Sequence, residues 1–131
     1  MIVLDTNALI WWISESGKLP GKAKNAVEEA EKKKAIYVSS ISVLEILTLI
    51  KKGRLNINTL ADNWLEKLEN LSYIRFVPVD NKIAAQSVNL VDLPEKDPAD
   101  RIIIATALNL GAKLITSDKK IRDYKKVQTI W

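Results

Sequence analysis

Ile2-Val3-Leu4-Asp5-Thr6-Asn7 near the start of the chain and Lys113-Leu114-Ile115-Thr116-Ser117-Asp118 near its end have one form: a short apolar run closed by polar residues that include an acid. Apolar runs at Ala35 to Val38, Arg75 to Val79 and Val127 to Ile130 join Ile2 to Leu4 and Lys113 to Thr116 as strand candidates. Between them, helical patterns span Ala8 to Ile13, Gly21 to Lys34, Val43 to Lys52, Leu60 to Leu71, Lys82 to Leu90 and Pro98 to Leu110. Short, uninterrupted apolar strands separated by helices predict an α/β domain whose central parallel sheet is covered on both faces. Gly111 and Gly53 stand at C-cap positions, and Lys51-Lys52 suits the carboxyl end of a helix.

The 131 residues fit one domain, 1–131, with enough length for a two-sided core. Hydrophobic residues at 47% and charged residues at 27% describe a folded, water-soluble chain. No apolar run reaches the roughly 18 residues of a membrane span. The opening apolar strand leaves no room for a signal peptide, so a cytoplasmic protein with no membrane attachment is expected. Cysteine and histidine are both absent, which excludes disulfides, Cys/His zinc sites, thiol nucleophiles and histidine triads. Catalysis must then rest on carboxylates, hydroxyls or lysines. A net charge of +4, with lysines grouped at Lys32 to Lys34, Lys51-Lys52, Lys119-Lys120 and Lys125-Lys126, suits either solvated helix ends or phosphate contacts.

Ligands of an open parallel sheet bind beyond the carboxyl ends of its strands. Asp5 and Asp118 each follow an apolar run and share one rim if their strands are neighbours, although turn and capping roles suit the same positions. Glu45 interrupts Ile41, Val43, Leu44, Ile46, Leu47, Leu49 and Ile50, a helix apolar on nearly every face and expected to be largely buried. A carboxylate there needs a partner, a metal or a proton. It either serves a site or closes a capping box by reaching back to the Ser42 amide. In Asp97-Pro98-Ala99-Asp100, Asp97 reads as an N-cap and Pro98 as the first helical turn, while Asp100 stands at the mouth of the apolar helix that follows.

Taken together, Leu4-Asp5-Thr6-Asn7, Glu45 in its apolar helix, Asp97-Pro98-Ala99-Asp100-Arg101 with its Ile-Ala continuation, and Thr116-Ser117-Asp118 resemble the PIN-domain family. More narrowly the set is similar to VapC toxins of type II toxin–antitoxin pairs, and it spans essentially the whole chain. The resemblance implies a PIN-like three-layer α/β/α sandwich with a central, mostly parallel sheet of four or five strands. It also implies a metal-dependent ribonuclease acting on RNA, with an acidic pocket of Asp5, Glu45, Asp100 and Asp118. A cognate VapB-type antitoxin and a homodimer come with it. One departure is Lys96, where such chains often carry a histidine before the Asp-Pro step.

Four converging carboxylates repel one another, and a hard cation such as Mg²⁺ or Mn²⁺, which prefers oxygen ligands, removes the conflict. Asp5 and Asp100 are read as the main ligands, with Glu45 and Asp118 acting through water or completing a second position. Thr6, Asn7 and Thr116 flank these acids and either orient them or serve turns. Arg101 is open to two readings, a phosphate contact or an ion pair with a nearby acid. Trp11 and Trp12 point in different directions from one helix, so at least one is a candidate for a dimer or antitoxin surface. Two competing readings are a phosphatase of the haloacid-dehalogenase kind, against which Asn7 stands where a second Asp belongs, and a non-catalytic nucleic-acid-binding domain.

Overall fold

Side chains on an extended strand alternate between faces, and in β1 (Ile2–Leu4) that alternation divides the molecule into two cores. Ile2 and Leu4 join Ile36, Val38 and Ile115 in one buried cluster, while Val3 joins Leu114 in the other. The structure, a computed structural model, describes residues 1–56 and 63–131. Within them β1, β2 (Ile36–Ser39), β3 (Ile74–Val77), β4 (Lys113–Ile115) and β5 (Thr129–Ile130) form one sheet in the order β3-β2-β1-β4-β5. Every neighbouring pair is parallel, as the uninterrupted apolar runs predict.

The helices are α1 (Thr6–Ile13), α2 (Gly21–Lys32), α3 (Ser40–Lys51), α4 (Trp64–Glu69), α5 (Asn81–Val88), α6 (Pro98–Leu110) and α7 (Lys119–Arg122). Leu9 of α1, Val27 of α2 and Leu68 of α4 pack in the first cluster; Ile103, Ile104 and Ala107 of α6 and Ile121 of α7 pack in the second. The result is the expected three-layer α/β/α arrangement. Gly111 ends α6 at φ +64°, a left-handed C-cap that a β-carbon would strain. Leu114 is fully buried at the middle of β4. Leu114→Ala is expected to cost about 2–5 kcal/mol in urea-induced unfolding, from lost burial and the cavity left behind.

Several boundaries differ from the sequence reading for identifiable reasons. Ser39 caps α3, its hydroxyl accepting from the Ile41 amide at 3.2 Å, so the helix starts at Ser40 rather than Val43 and Ser42 lies inside it. The capping box reading of Glu45 is therefore wrong. β3 stops before Pro78, which has no N–H for the ladder. Val127 is buried but precedes the paired residues of β5. α7 was not anticipated, since its four residues are too short for any apolar period. For the helix read over Leu60 to Leu71, residues 60–62 lie outside the described residues, and the remainder is helical from Trp64 to Glu69. Among the described residues no helix is long and apolar enough to cross a membrane.

Two expectations about exposure are corrected. α3 is not largely buried: Leu44 and Leu47 are 59% and 48% exposed, because the helix packs through Ile46 while these residues face outward. Neither Trp11 nor Trp12 is free at the surface. Both are half-buried against the first cluster, with the Trp11 ring 5.6 Å from that of Trp131 and the Trp12 ring 6.3 Å from that of Tyr73.

Candidate metal centre

The chain runs outward from β1 through β2 to β3, then returns to β4 on the other side of β1. Such a reversal opens a crevice beyond the carboxyl ends of the two central strands, where open α/β sheets bind ligands. Asp5 follows β1 and Asp118 follows β4 at this reversal. The Asp5 amide donates to the Ile115 carbonyl at 3.1 Å, extending the ladder to the rim.

Asp5 is 7% exposed and caps α1, its Oδ1 accepting from the Ala8 amide at 2.8 Å. Burial pushes its pKa up, hydrogen bonds from Thr116 and Ala8 oppose that, and the charges of Asp118 and Glu45 add to the rise. Thr116 has no exposed surface, and its hydroxyl serves both strand-end acids: it donates to the Asp5 side chain and accepts from the Asp118 amide at 3.1 Å. Thr116 thus bridges the two strand-end acids. Asp118 caps α7, with Oδ1 accepting from the Lys120 amide at 2.9 Å.

Glu45 comes from the middle of α3. The Thr6 hydroxyl donates to Glu45 Oε1 at 2.5 Å and lies 3.0 Å from the Ser42 hydroxyl, which ties the first turn of α1 to α3. Burial raises the Glu45 pKa, the Thr6 bond counters it, and the charge of Asp97 raises it again. Asn7, by contrast, is exposed on α1.

Asp97 is the N-cap of α6, accepting from the amides of Ala99 at 2.8 Å and Asp100 at 3.3 Å through Oδ1. Asp100 lies in the first turn, and its pKa is pushed up to about 7 by burial and then by the charges of Asp97, Glu95, Glu45 and Asp118. Glu95 is absent from the sequence reading. It is 8% exposed, and one carboxylate oxygen from each of Glu95, Asp100 and Asp118 lies within 4.8 Å of the other two. The search for acids after apolar runs and inside apolar helices passes over it, because it sits in a loop between exposed Pro94 and Lys96. Lys96, the point of departure from the expected pattern, faces solvent.

Arg101 fits neither reading given to it. Its Nε donates to the Ser87 carbonyl at 2.9 Å, Nη1 to that of Glu95 at 2.9 Å, and Nη2 to those of Leu90 at 2.8 Å and Val88 at 3.4 Å. The guanidinium is committed to main-chain carbonyls of the segment before α6, and among the described residues it forms no ion pair. Among the described residues the ion pair is Lys119 with Asp123, so none of the six acids of this region is paired with a protein cation. Oxygen donors alone, partly buried and mutually repelling, are the ligand set of a hard divalent cation.

Comparison with known proteins places the chain in a family. The model of the PIN domain matches residues 2–127. Ribonuclease VapC22 of Mycobacterium tuberculosis is 31% identical over 132 residues, covering 99% of this chain and 98% of that protein. The crystal structure of FitAcB from Neisseria gonorrhoeae is 26% identical, with a TM-score of 0.66 over 98% of this chain and 96% of the other. VapBC2 from Rickettsia felis, solved with a DNA fragment from its promoter, shares the fold at 20% identity, with a TM-score of 0.73 over 98% of this chain and 97% of the other.

Proposed function

The chain belongs to the PIN-domain family, and from that premise we propose that it is a metal-dependent endoribonuclease, the VapC-type toxin of a toxin–antitoxin pair. The observation that carries this reading is the convergence of acids from β1, α3, α6 and the end of β4 on one rim, with no protein cation paired to them among the described residues. The 31% identity to a named ribonuclease across nearly its whole length supports RNA as substrate.

When bound, Mg²⁺ or Mn²⁺ supplies an acidified water and stabilises charge developing on the scissile phosphate. Asp5 and Asp100 are the main ligand residues, with Glu45 and Asp118 holding ligand waters or a second cation. Thr116 fixes the Asp5 carboxylate by its hydrogen bond, and Thr6 fixes that of Glu45. Asp97 preforms the first turn of α6 and so the position of Asp100. A concavity of about 730 Å³ begins one residue beyond Asp118; its lining sets Lys119, Lys120, Lys125 and Lys126 against Asp92 and Asp123, and that excess of positive charge supports a path for a polyanionic strand.

A VapB-type antitoxin is the proposed partner, and the FitAcB and VapBC2 complexes support it. A homodimer and a cytoplasmic location complete the reading, with residues 1–131 as one domain. Leu44 and Leu47, exposed on either side of Glu45, support a protein surface close to the site.

The test incubates the purified chain with total RNA and Mn²⁺ or Mg²⁺, beside an EDTA control, and maps the new ends. Cuts that need the metal and leave 5′-phosphate and 3′-hydroxyl ends are expected. Ends carrying 2′,3′-cyclic phosphate would instead report attack by the ribose hydroxyl and defeat the mechanism, and RNA bound equally with or without chelator but never cut would favour a binding domain.

A further inference from the structure

Glu95 is a buried carboxylate that none of the expected roles uses. Its neighbours Pro94 and Lys96 are exposed, yet Glu95 itself is 8% exposed, so the loop before α6 turns this one side chain inward. Two bonds hold it there. Arg101 Nη1 donates to its main-chain carbonyl at 2.9 Å, and its Oε1 accepts from the Asp97 amide at 3.0 Å. The nearest guanidinium therefore anchors the Glu95 backbone and leaves the carboxylate without a counter-charge, and no ion pair reaches it among the described residues.

The bond to the Asp97 amide needs an acceptor, and a neutral glutamine would serve. Beside it stand two further carboxylates, Asp100 and Asp118, and among the described residues no cationic side chain pairs with any of the three. A cation accounts for it. Ligand oxygens sit about 2.0–2.6 Å from Mg²⁺, Mn²⁺ or Ca²⁺-like ions, so two ligands of one ion lie at most about 4–5 Å apart. The oxygens of Glu95, Asp100 and Asp118 meet that limit together, all within 4.8 Å of one another.

We propose that Glu95 is a ligand residue of the acidic site, holding a divalent cation together with Asp100 and with Asp118, which then binds the second cation position directly rather than through water. The inference rests on the metal reading given above and adds a fifth carboxylate to it. Glu95 differs from Asp5 and Glu45 in origin: it comes from a loop pinned by Arg101, so the position of α6 and the ligand geometry are coupled through one side chain.

The experiment titrates Mn²⁺ into the full chain and follows the loss of the free-ion electron paramagnetic resonance signal, for the wild type, Glu95→Gln and Asp100→Asn. Glu95→Gln keeps the acceptor for the Asp97 amide and removes only the charge. It is expected to fold and to bind Mn²⁺ about 10- to 100-fold more weakly. Wild-type affinity in a folded Glu95→Gln chain overturns the proposal while Asp100→Asn still loses the metal, which leaves the metal reading standing. Absence of Mn²⁺ binding by the wild type, or full binding by Asp100→Asn, defeats that reading and the proposal with it. Should the Gln variant fail to fold, Glu95→Asp withdraws the charge by one methylene in the same titration: weaker binding supports the proposal and equal binding overturns it.

Discussion

Asp100→Asn is expected to lower metal-dependent RNA cleavage by at least about 1000-fold, a barrier increase of about 4 kcal/mol, while making the metal-free protein more stable at pH 8. The two responses have one cause. Asp100 is half-buried and faces the charges of Asp97, Glu95, Glu45 and Asp118, and its pKa is raised from the ordinary 3.8 to about 7. A carboxyl whose folded pKa exceeds its unfolded one binds its proton more tightly in the folded state. Its contribution to stability is complete below about pH 4 and is lost as pH rises through about 7. The metal-free wild type should therefore lose melting temperature between pH 5 and pH 8, by less than the limit of about 1.4 kcal/mol per pH unit for one proton, because solvent screens a half-buried group. Asp100→Asn has no such proton to lose and should show a flatter profile.

Metal binding must displace the same proton, so Mn²⁺ affinity should fall as pH drops below about 7 in the wild type. Added Mn²⁺ at pH 8 should raise the wild-type melting temperature and leave that of Asp100→Asn nearly unchanged. A variant that lost activity and stability together would assign Asp100 to the support of α6, and a pH-independent Mn²⁺ affinity would deny the repulsion on which the expectation rests.

The sheet was legible because both sides of it are covered. Runs such as Ile2-Val3-Leu4 and Leu114-Ile115 carry no polar alternation, and that lack identifies buried parallel strands without any knowledge of partners. Strand order was not in the pattern. That β1 lies between β2 and β4 follows from packing of the whole chain, although it is what brings Asp5 and Asp118 to one rim. α3 misled for a related reason. Its side chains are apolar almost all round, but only one stripe meets the core, and Leu44 and Leu47 are left outside. Apolar composition reports what a helix can bury, whereas exposure depends on which neighbours arrive.

Among the site residues, the legible ones stand where local rules place acids: strand ends, a helix mouth, an apolar helix. Glu95 obeys no such rule, since its burial comes from a loop folded inward by distant bonds. Thr116 and Thr6 were named as neighbours of acids, but their partners, Asp5 with Asp118 and Glu45 with Ser42, depend on contacts between elements far apart in the chain. Arg101 was read by its charge, and the charge is the lesser part of its role.

Arg101→Ala is expected to destabilise the fold by about 2–4 kcal/mol, more than a surface arginine costs on removal, because the carbonyls of Ser87, Glu95 and Leu90 each lose a donor between 2.8 and 2.9 Å. Those carbonyls close the end of α5 and the loop that carries Glu95, where partly buried acceptors left unpaired cost most. Thermal or urea unfolding measures the loss. Arg101→Lys is expected to recover little of it, since one ammonium cannot reach carbonyls that a planar guanidinium engages from three nitrogens at once. If Arg101 instead served phosphate, Lys would restore function and the stability of Ala would match the wild type. Weaker Mn²⁺ binding by Arg101→Ala at a temperature where it remains folded would link the pinned loop to the acidic site, since the same nitrogen that satisfies the Glu95 carbonyl holds that residue beside Asp100 and Asp118.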